Sequence, residues 1–333
     1  MIPPPTTYDG RNLDPRIADP HGEGALIEVD RPDAAWPAVI ETPTEAPAAA
    51  TYYDLPVVKP PPWRWFVPAY FYASGLGGAA GTLAAAAELA GEQRLARRLH
   101  AVATISEAAG AALLIADLGR PARFHHMMRV FRPTSPMNAG VWILAASGAS
   151  SGLALLADLG GRRRRRRLGV TGAIGAITGA MLSTYTAVLL GNTAIPIWEA
   201  TRRRMPVWFA ASSAASLASL VDLLGAGASL PRSYRIAARA AELIGARSIE
   251  AAADAAGVAR PLREGRSGRM WRGASWLGAG SLIATLARRP WLAGVLGTAA
   301  ALLARLAIVE AGRASAADPR ATFQPQRRAD RTR

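Results

Sequence analysis

The chain contains no cysteine among its 333 residues, and that absence removes three chemistries together: disulfides, iron–sulfur ligation and a thiol nucleophile. Histidine is nearly as scarce. Only His21, His100, His125 and His126 occur, so no pair stands ready to ligate haem iron across a helical bundle. His125 and His126, adjacent in one loop, are expected to point apart. No spacing of side chains suits a metal, and there is no Walker loop. The glycines at Gly75, Gly77, Gly78 and Gly81 lack the preceding strand and following acid of a dinucleotide fold. Lysine is reduced to Lys59, every other one of the 39 basic residues being arginine. The stretch from Met1 to Ala50 has neither a basic start nor an apolar run of signal-peptide kind, which predicts that the first apolar segment itself starts membrane insertion.

Apolar residues, by contrast, make up 50% of the chain although only 7% of it is aromatic. The hydrophobicity is therefore carried by Ala, Leu, Val and Gly, and the mean hydropathy is positive. Small residues of this kind let helix backbones approach closely in lipid, where glycine is better tolerated than in soluble helices. The 32 glycines fit that use. A formal charge of +15 invites a nucleic-acid reading. The arginines cluster in the gaps between apolar runs, however, where they set topology and meet anionic lipid headgroups, so no nucleic-acid partner is expected.

These runs divide the chain. Residues 1–50, rich in Pro, Ala, Thr and acids without helical or strand period, read as a disordered polar tail. Residues 51–65 end in PPPWRW and form an interfacial entry, 66–311 a transmembrane domain, and 312–333 a basic tail. The apolar runs are Phe66 to Ala90, Leu99 to Leu118, Ala139 to Leu159, Leu168 to Gly191, Val207 to Ser229, Ala274 to Ala287 and Trp291 to Glu310. Most reach the roughly 20 residues that a bilayer core requires.

An eighth segment, Arg235 to Val258, is amphipathic. At about 100° per residue Arg235, Arg239, Glu242, Arg247, Glu250 and Asp254 share one face of roughly 140°. The segment either spans the membrane with this charged face turned into the bundle, or lies on the surface. Burial demands partners, and Arg239 with Glu242 and Arg247 with Glu250 have the spacing to pair. The fold class is accordingly all-α, a polytopic membrane protein of eight transmembrane helices, with seven as the alternative. Six consecutive arginines, Arg162 to Arg167, mark one face as cytoplasmic, while the total count of arginine favours the other. Orientation stays open.

The richest polar segment is DLGRPARFHHMMRVFRPTSPMN, Asp117 to Asn138. Phe124, Met127, Met128, Val130 and Phe131 alternate with Arg123, Arg129 and Arg132, a mix that suits a short interfacial helix with snorkelling arginines. Ser135 is placed to cap the next helix, with Pro136 at its first position. Trp142 reads as packing. Asp158, Glu199 and Asp222, near helix ends, read as interface residues.

Three segments of the chain resemble the NrfD/PsrC family, the quinone-handling membrane subunits of molybdopterin and iron–sulfur oxidoreductases. They are TYYDLPVVKPPPWRWFVPAYFYASGLGG at Thr51 to Gly78, the Asp117 loop with its continuation GVWIL, and EAGRASAADPRATFQPQR at Glu310 to Arg327. The resemblance implies two groups of four helices with no haem or cluster on this chain. It also implies exchange of electrons between a quinone pool, menaquinone or ubiquinone, and a ferredoxin-like 4Fe–4S subunit wired to a molybdopterin catalytic subunit. Such a chain sits in the bacterial inner membrane and is not a complete enzyme alone.

A quinone site needs an apolar slot, hydrogen-bond partners for two carbonyls and a titratable group. Glu107, the one acid in the middle of the second run, is the first candidate, since an ionisable residue at such depth is functional by default. Tyr70 is the second, with a place in an interfacial aromatic belt as its alternative. Asp117 and Arg120 either clamp the loop as a pair or join the headgroup site. Arg123, Arg129, Arg132 and Ser135 are expected to meet lipid headgroups or the docked subunit. Two other classes stay open: a transporter or proton channel lined by Glu107 and the charged face of Arg239, Glu242, Arg247, Glu250 and Asp254, and an anchor that binds no quinone.

Overall fold

The computed structural model describes residues 56, 58–118, 120–160, 169–225 and 230–322, all within a single unit of residues 52–333. The polar tail of residues 1–50 and the arginine run at 162–167 lie outside the described residues. Helix is the only regular structure among the described residues. Eight helices have 19 to 28 residues: α1 Phe66–Leu89, α2 Gln93–Asp117, α3 Pro136–Leu159, α4 Gly169–Gly191, α6 Met205–Leu223, α7 Arg232–Ala256, α9 Gly265–Leu286 and α10 Pro290–Ala317. Between them lie a 3-10 helix, Pro121–Met128, and two short helices, α5 Pro196–Thr201 and α8 Arg260–Arg263.

The ends follow local chemistry. Ser135 caps α3 by accepting from the Asn138 N–H at 3.4 Å, with Pro136 in the first turn as its fixed φ allows. At the far end of α7, Gly257 takes φ 76° and the Val258 N–H returns to the Ala253 carbonyl at 2.9 Å. That left-handed stop is cheap only for glycine. Several helices run beyond the apolar stretches that announce them. α2 starts at Gln93 and α9 at Gly265, because arginines that depress hydropathy are good helix formers. The segment from Asn192 to Pro206, between two of the apolar runs, holds α5.

Neighbour relations divide the long helices into two rings of four. α1, α2, α3 and α4 pack in a closed cycle, as do α6, α7, α9 and α10, and the rings meet where α1 and α4 touch α6 and α1 touches α10. Small residues set the closest approach. A Cβ at Gly179 would lie 2.7 Å from the Gly78 carbonyl oxygen, so α1 and α4 cross backbone to backbone. At one end an aromatic column ties entry segment to rings: Trp63 stacks on Trp198 of α5 at 5.5 Å, and Trp208 of α6 leans on Trp271 of α9 at 5.2 Å. Trp198 also donates to the Ile308 carbonyl at 3.0 Å, bonding α5 to α10.

Hydrophobic side chains fill the interior and also cover much of the outside. Serines line the interior, Ser74, Ser212, Ser213, Ser216 and Ser219 being buried, while Ile105, Leu156, Ile177, Val207, Ile244 and Ile283 face outward. Five helices among the described residues, α2, α3, α4, α6 and α10, are long and apolar enough to cross a membrane. The other three long helices fall short of that apolarity. α7 carries its charged stripe, α9 opens on Arg266, Arg269 and Arg272, and α1 is diluted by Gly, Tyr, Ser and Pro.

Candidate functional site

A cleft of about 300 Å³ lies between α2 and α3 under the 3-10 helix. Its α2 wall is Thr104, Glu107, Ala108, Ala111, Leu114, Ile115 and Leu118, residues three and four apart that share one helix face. From α3 come Val141, Leu144, Ala145, Gly148 and Ala149, and Phe124, Met127 and Met128 of the 3-10 helix cover it. Ala108 and Ala149 are exposed, so the cleft opens sideways. From Thr104 to Leu118 the wall rises about 21 Å. The cleft is thus long, apolar and open on its flank.

Glu107 is the one ionisable residue in this lining, and it is 2% exposed. Ser147 of α3 donates to its Oε1, and Ser151 stands beside it one turn further along. Oε2 has no hydrogen-bond partner among the described residues. Gly77 of α1 makes the room: a Cβ there would sit 2.6 Å from the Glu107 Cγ. A buried carboxyl in the lining of an apolar slot, with one oxygen anchored and the other left without a hydrogen bond, can hold and hand over a proton at that second oxygen.

The loop above owes its shape to Asn138, which the sequence does not single out. Its amide donates to the carbonyls of Met127 at 2.7 Å and Val130 at 3.0 Å, and its oxygen accepts from the Arg132 N–H at 2.7 Å. These bonds fix the cover of the cleft. The 3-10 helix has no buried residue, so Arg123, like Arg129 and Arg132 after it, projects from the surface. His125 and His126 do not point apart as expected. Their rings meet edge to face with centroids 4.3 Å apart.

Tyr70 is buried between α1 and α2 rather than placed in a belt, with its ring against Gly110, one helical turn from Glu107. It does not line the cleft. Behind it Tyr185 of α4 fills the space that Gly140 leaves and donates to the Pro136 carbonyl. Asp117 is half-buried at the end of α2 and Arg120 is exposed, with no ion pair between them. Trp142 packs edge-on against Phe131.

The charged stripe of α7 divides in two. Its first half turns inward: Arg239, 2% exposed, pairs with Asp222 of α6 at 2.8 Å and donates to Ser281 of α9 at 2.7 Å, and Arg235 joins Asp222 at 2.6 Å. Glu242, expected to pair with Arg239, instead accepts from Ser212 at 2.6 Å and attracts Arg305 of α10. Asp222 is therefore the core of an ion cluster, not an interface residue, whereas Glu199 is half-exposed beside Arg202 at 3.3 Å. Arg305 is 1% exposed, with its guanidinium 3.7 Å from the Phe209 ring centroid, a cation–π contact that stands in for missing hydrogen bonds. The second half of the stripe lies on the surface. Arg247 pairs with Glu250 at 3.0 Å as its spacing suggests, and Asp254 with Arg263 at 2.5 Å.

Among the described residues no group of three or more His, Cys, Asp or Glu side chains could hold a metal ion. A family model described as polysulfide reductase, NrfD type, matches residues 49–318. No individual curated protein matches the chain.

Proposed function

Since the chain belongs to the polysulfide reductase NrfD family, we propose that it is the quinone-reactive membrane subunit of a multi-subunit oxidoreductase, with the α2–α3 cleft as its quinone site. The observation that carries this is the buried carboxyl of Glu107, the one ionisable group among the described residues that line a largely apolar slot open on its flank. A quinone is an apolar molecule that enters from the bilayer, and its reduction or oxidation takes up or releases protons. The slot suits the first property and the free Oε2 of Glu107 the second. Thr104 and the Ser147–Glu107 pair supply polar groups to orient a headgroup.

In this reading all eight long helices span the membrane in two groups of four. The inward charges of α7 are met by ion pairs with Asp222 of α6 inside the second ring. Bacterial plasma membrane is the expected location. Electrons pass to or from an iron–sulfur partner, itself joined to a molybdopterin subunit, because this chain has no cysteine to hold a cluster. The exposed arginines Arg123, Arg129 and Arg132 at the loop end are placed to steer an acidic docking surface.

Purification of the chain from its native membrane in mild detergent tests the assignment. Iron–sulfur and molybdopterin absorbance should co-purify with it, together with extractable quinone. Recovery of the chain alone, with neither absorbance nor quinone, would contradict it.

A further inference from the structure

A second cleft, of about 460 Å³, runs between α7 and α9 on the outside of the second ring. One end holds Arg247, Glu250 and Arg272, and the other is apolar, with Leu243, Ile244 and Trp276. We infer that this cleft binds an acidic phospholipid, with the phosphate between Arg247 and Arg272 and an acyl chain along Ile244 and Trp276.

Three observations support this, on the premise that α7 and α9 lie in the bilayer. The first is charge: two guanidinium groups face one carboxylate, and that carboxylate is already engaged. Glu250 accepts from Arg247 at 3.0 Å with one oxygen and from the Trp271 indole at 2.7 Å with the other, which fixes Arg247 at the cleft mouth. Arg247 remains 78% exposed on its side chain, so its remaining donors face outward. Arg272 spends one nitrogen on the Arg263 carbonyl and keeps the rest free to reach a phosphate. The second is the apolar end. Trp276 is 77% exposed and Ile244 70%, and Ile283 and Leu286 continue the outward apolar face down α9.

The third is length. Between Arg272 and Arg288, α9 offers roughly 15 residues, about 22 Å of rise, against a hydrocarbon core of about 30 Å. The headgroup layer must dip toward the arginines at this face, or the arginines must stand in hydrocarbon. A lipid phosphate drawn into the cleft resolves both. A zwitterionic lipid brings its own cation to a site already rich in positive charge and is disfavoured.

Native mass spectrometry of the detergent-purified complex, with phosphatidylglycerol and phosphatidylcholine added in equal amounts, tests the site. The wild type should retain phosphatidylglycerol about tenfold over phosphatidylcholine, and the double variant Arg247→Gln, Arg272→Gln should lose that preference. Both residues are exposed, so the variant should match the wild type in melting temperature and partner content. Equal retention of the two lipids by the wild type, an unchanged preference in the variant, or displacement of lipid by millimolar inorganic phosphate would each overturn the assignment. Alkaline extraction of membranes separates failures: a chain released by it contradicts the membrane reading itself, whereas a chain that stays embedded but ignores lipid charge contradicts only the site.

Discussion

Glutamine in place of Glu107 is expected to lower quinol turnover by about 100- to 1,000-fold while the complex still assembles. The substitution is nearly isosteric, and the amide oxygen can still accept the Ser147 hydroxyl, so the α2–α3 contact and the room left by Gly77 are preserved. What disappears is the proton carried at Oε2, the oxygen with no hydrogen-bond partner among the described residues. The loss should therefore fall on kcat more than on KM, because the apolar walls that bind the ring and tail are unaltered. Steady-state oxidation of a short-chain quinol by the purified complex reads both constants. Undiminished turnover would leave the chain as an anchor without quinone chemistry.

Asparagine in place of Asp222 is expected to cost about 3–5 kcal/mol of stability, a fall in melting temperature on the order of 10 °C. Asp222 is the one carboxylate that accepts from both Arg235, at 2.6 Å, and Arg239, at 2.8 Å, where α6 faces α7. Neutralising it removes the counter-charge bonded to both guanidinium groups, and Arg239 is buried away from solvent. The second ring should loosen first, since Arg239 also bonds Ser281 of α9, and Ser281 in turn donates to the Ala293 carbonyl of α10 at 2.7 Å. Adding Arg239→Gln to the variant removes one of the stranded charges and should restore part of the loss. By contrast Arg247→Ala, on the exposed half of the same helix, should change stability by no more than about 1 kcal/mol. Thermal unfolding of the three variants in one detergent compares them directly, and an Asp222→Asn protein as stable as the wild type would show that the cluster contributes nothing.

How far these features were legible depends on whether one helix or several create them. The amphipathic stripe of α7 follows from spacing alone, and α7 spans Arg232–Ala256 close to the expected Arg235 to Val258. The partners of its charges do not follow. Arg239 has Glu242 three residues away, and intrahelical spacing favours that pair. The structure prefers Asp222 because α6 brings a carboxylate in from the side while Ser212 takes Glu242. Asp222 looked like an ordinary polar residue near a helix end, since nothing local reveals that its end of α6 is walled in by α7 and α10. Arg305 carried a signal that was missed: it is the lone charge inside the run ALLARLAIV, a place where an arginine is costly unless something receives it.

The candidate site shows the same division. Glu107 could be picked out because a lone acid in an apolar run is unusual at any register, and the cap at Ser135 because its chemistry is local. The cleft could not, since its cover is Phe124, Met127 and Met128, brought over Glu107 only by the bonds of Asn138 to a loop up to 11 residues upstream. Tyr70 was legible as an aromatic in the first helix, but its burial against Gly110 depends on how closely α1 meets α2.

The central claim, that quinone occupies the α2–α3 cleft, is tested most directly by photo-crosslinking an azidoquinone to the complex in its membrane and sequencing the labelled peptides. The account predicts label on residues 104–118 and on 141–149, displaced by excess unlabelled quinone and weakened when Ala111 is enlarged to Phe within the cleft wall. Label confined to the second ring, or to a partner subunit with these two stretches unmarked, would contradict it.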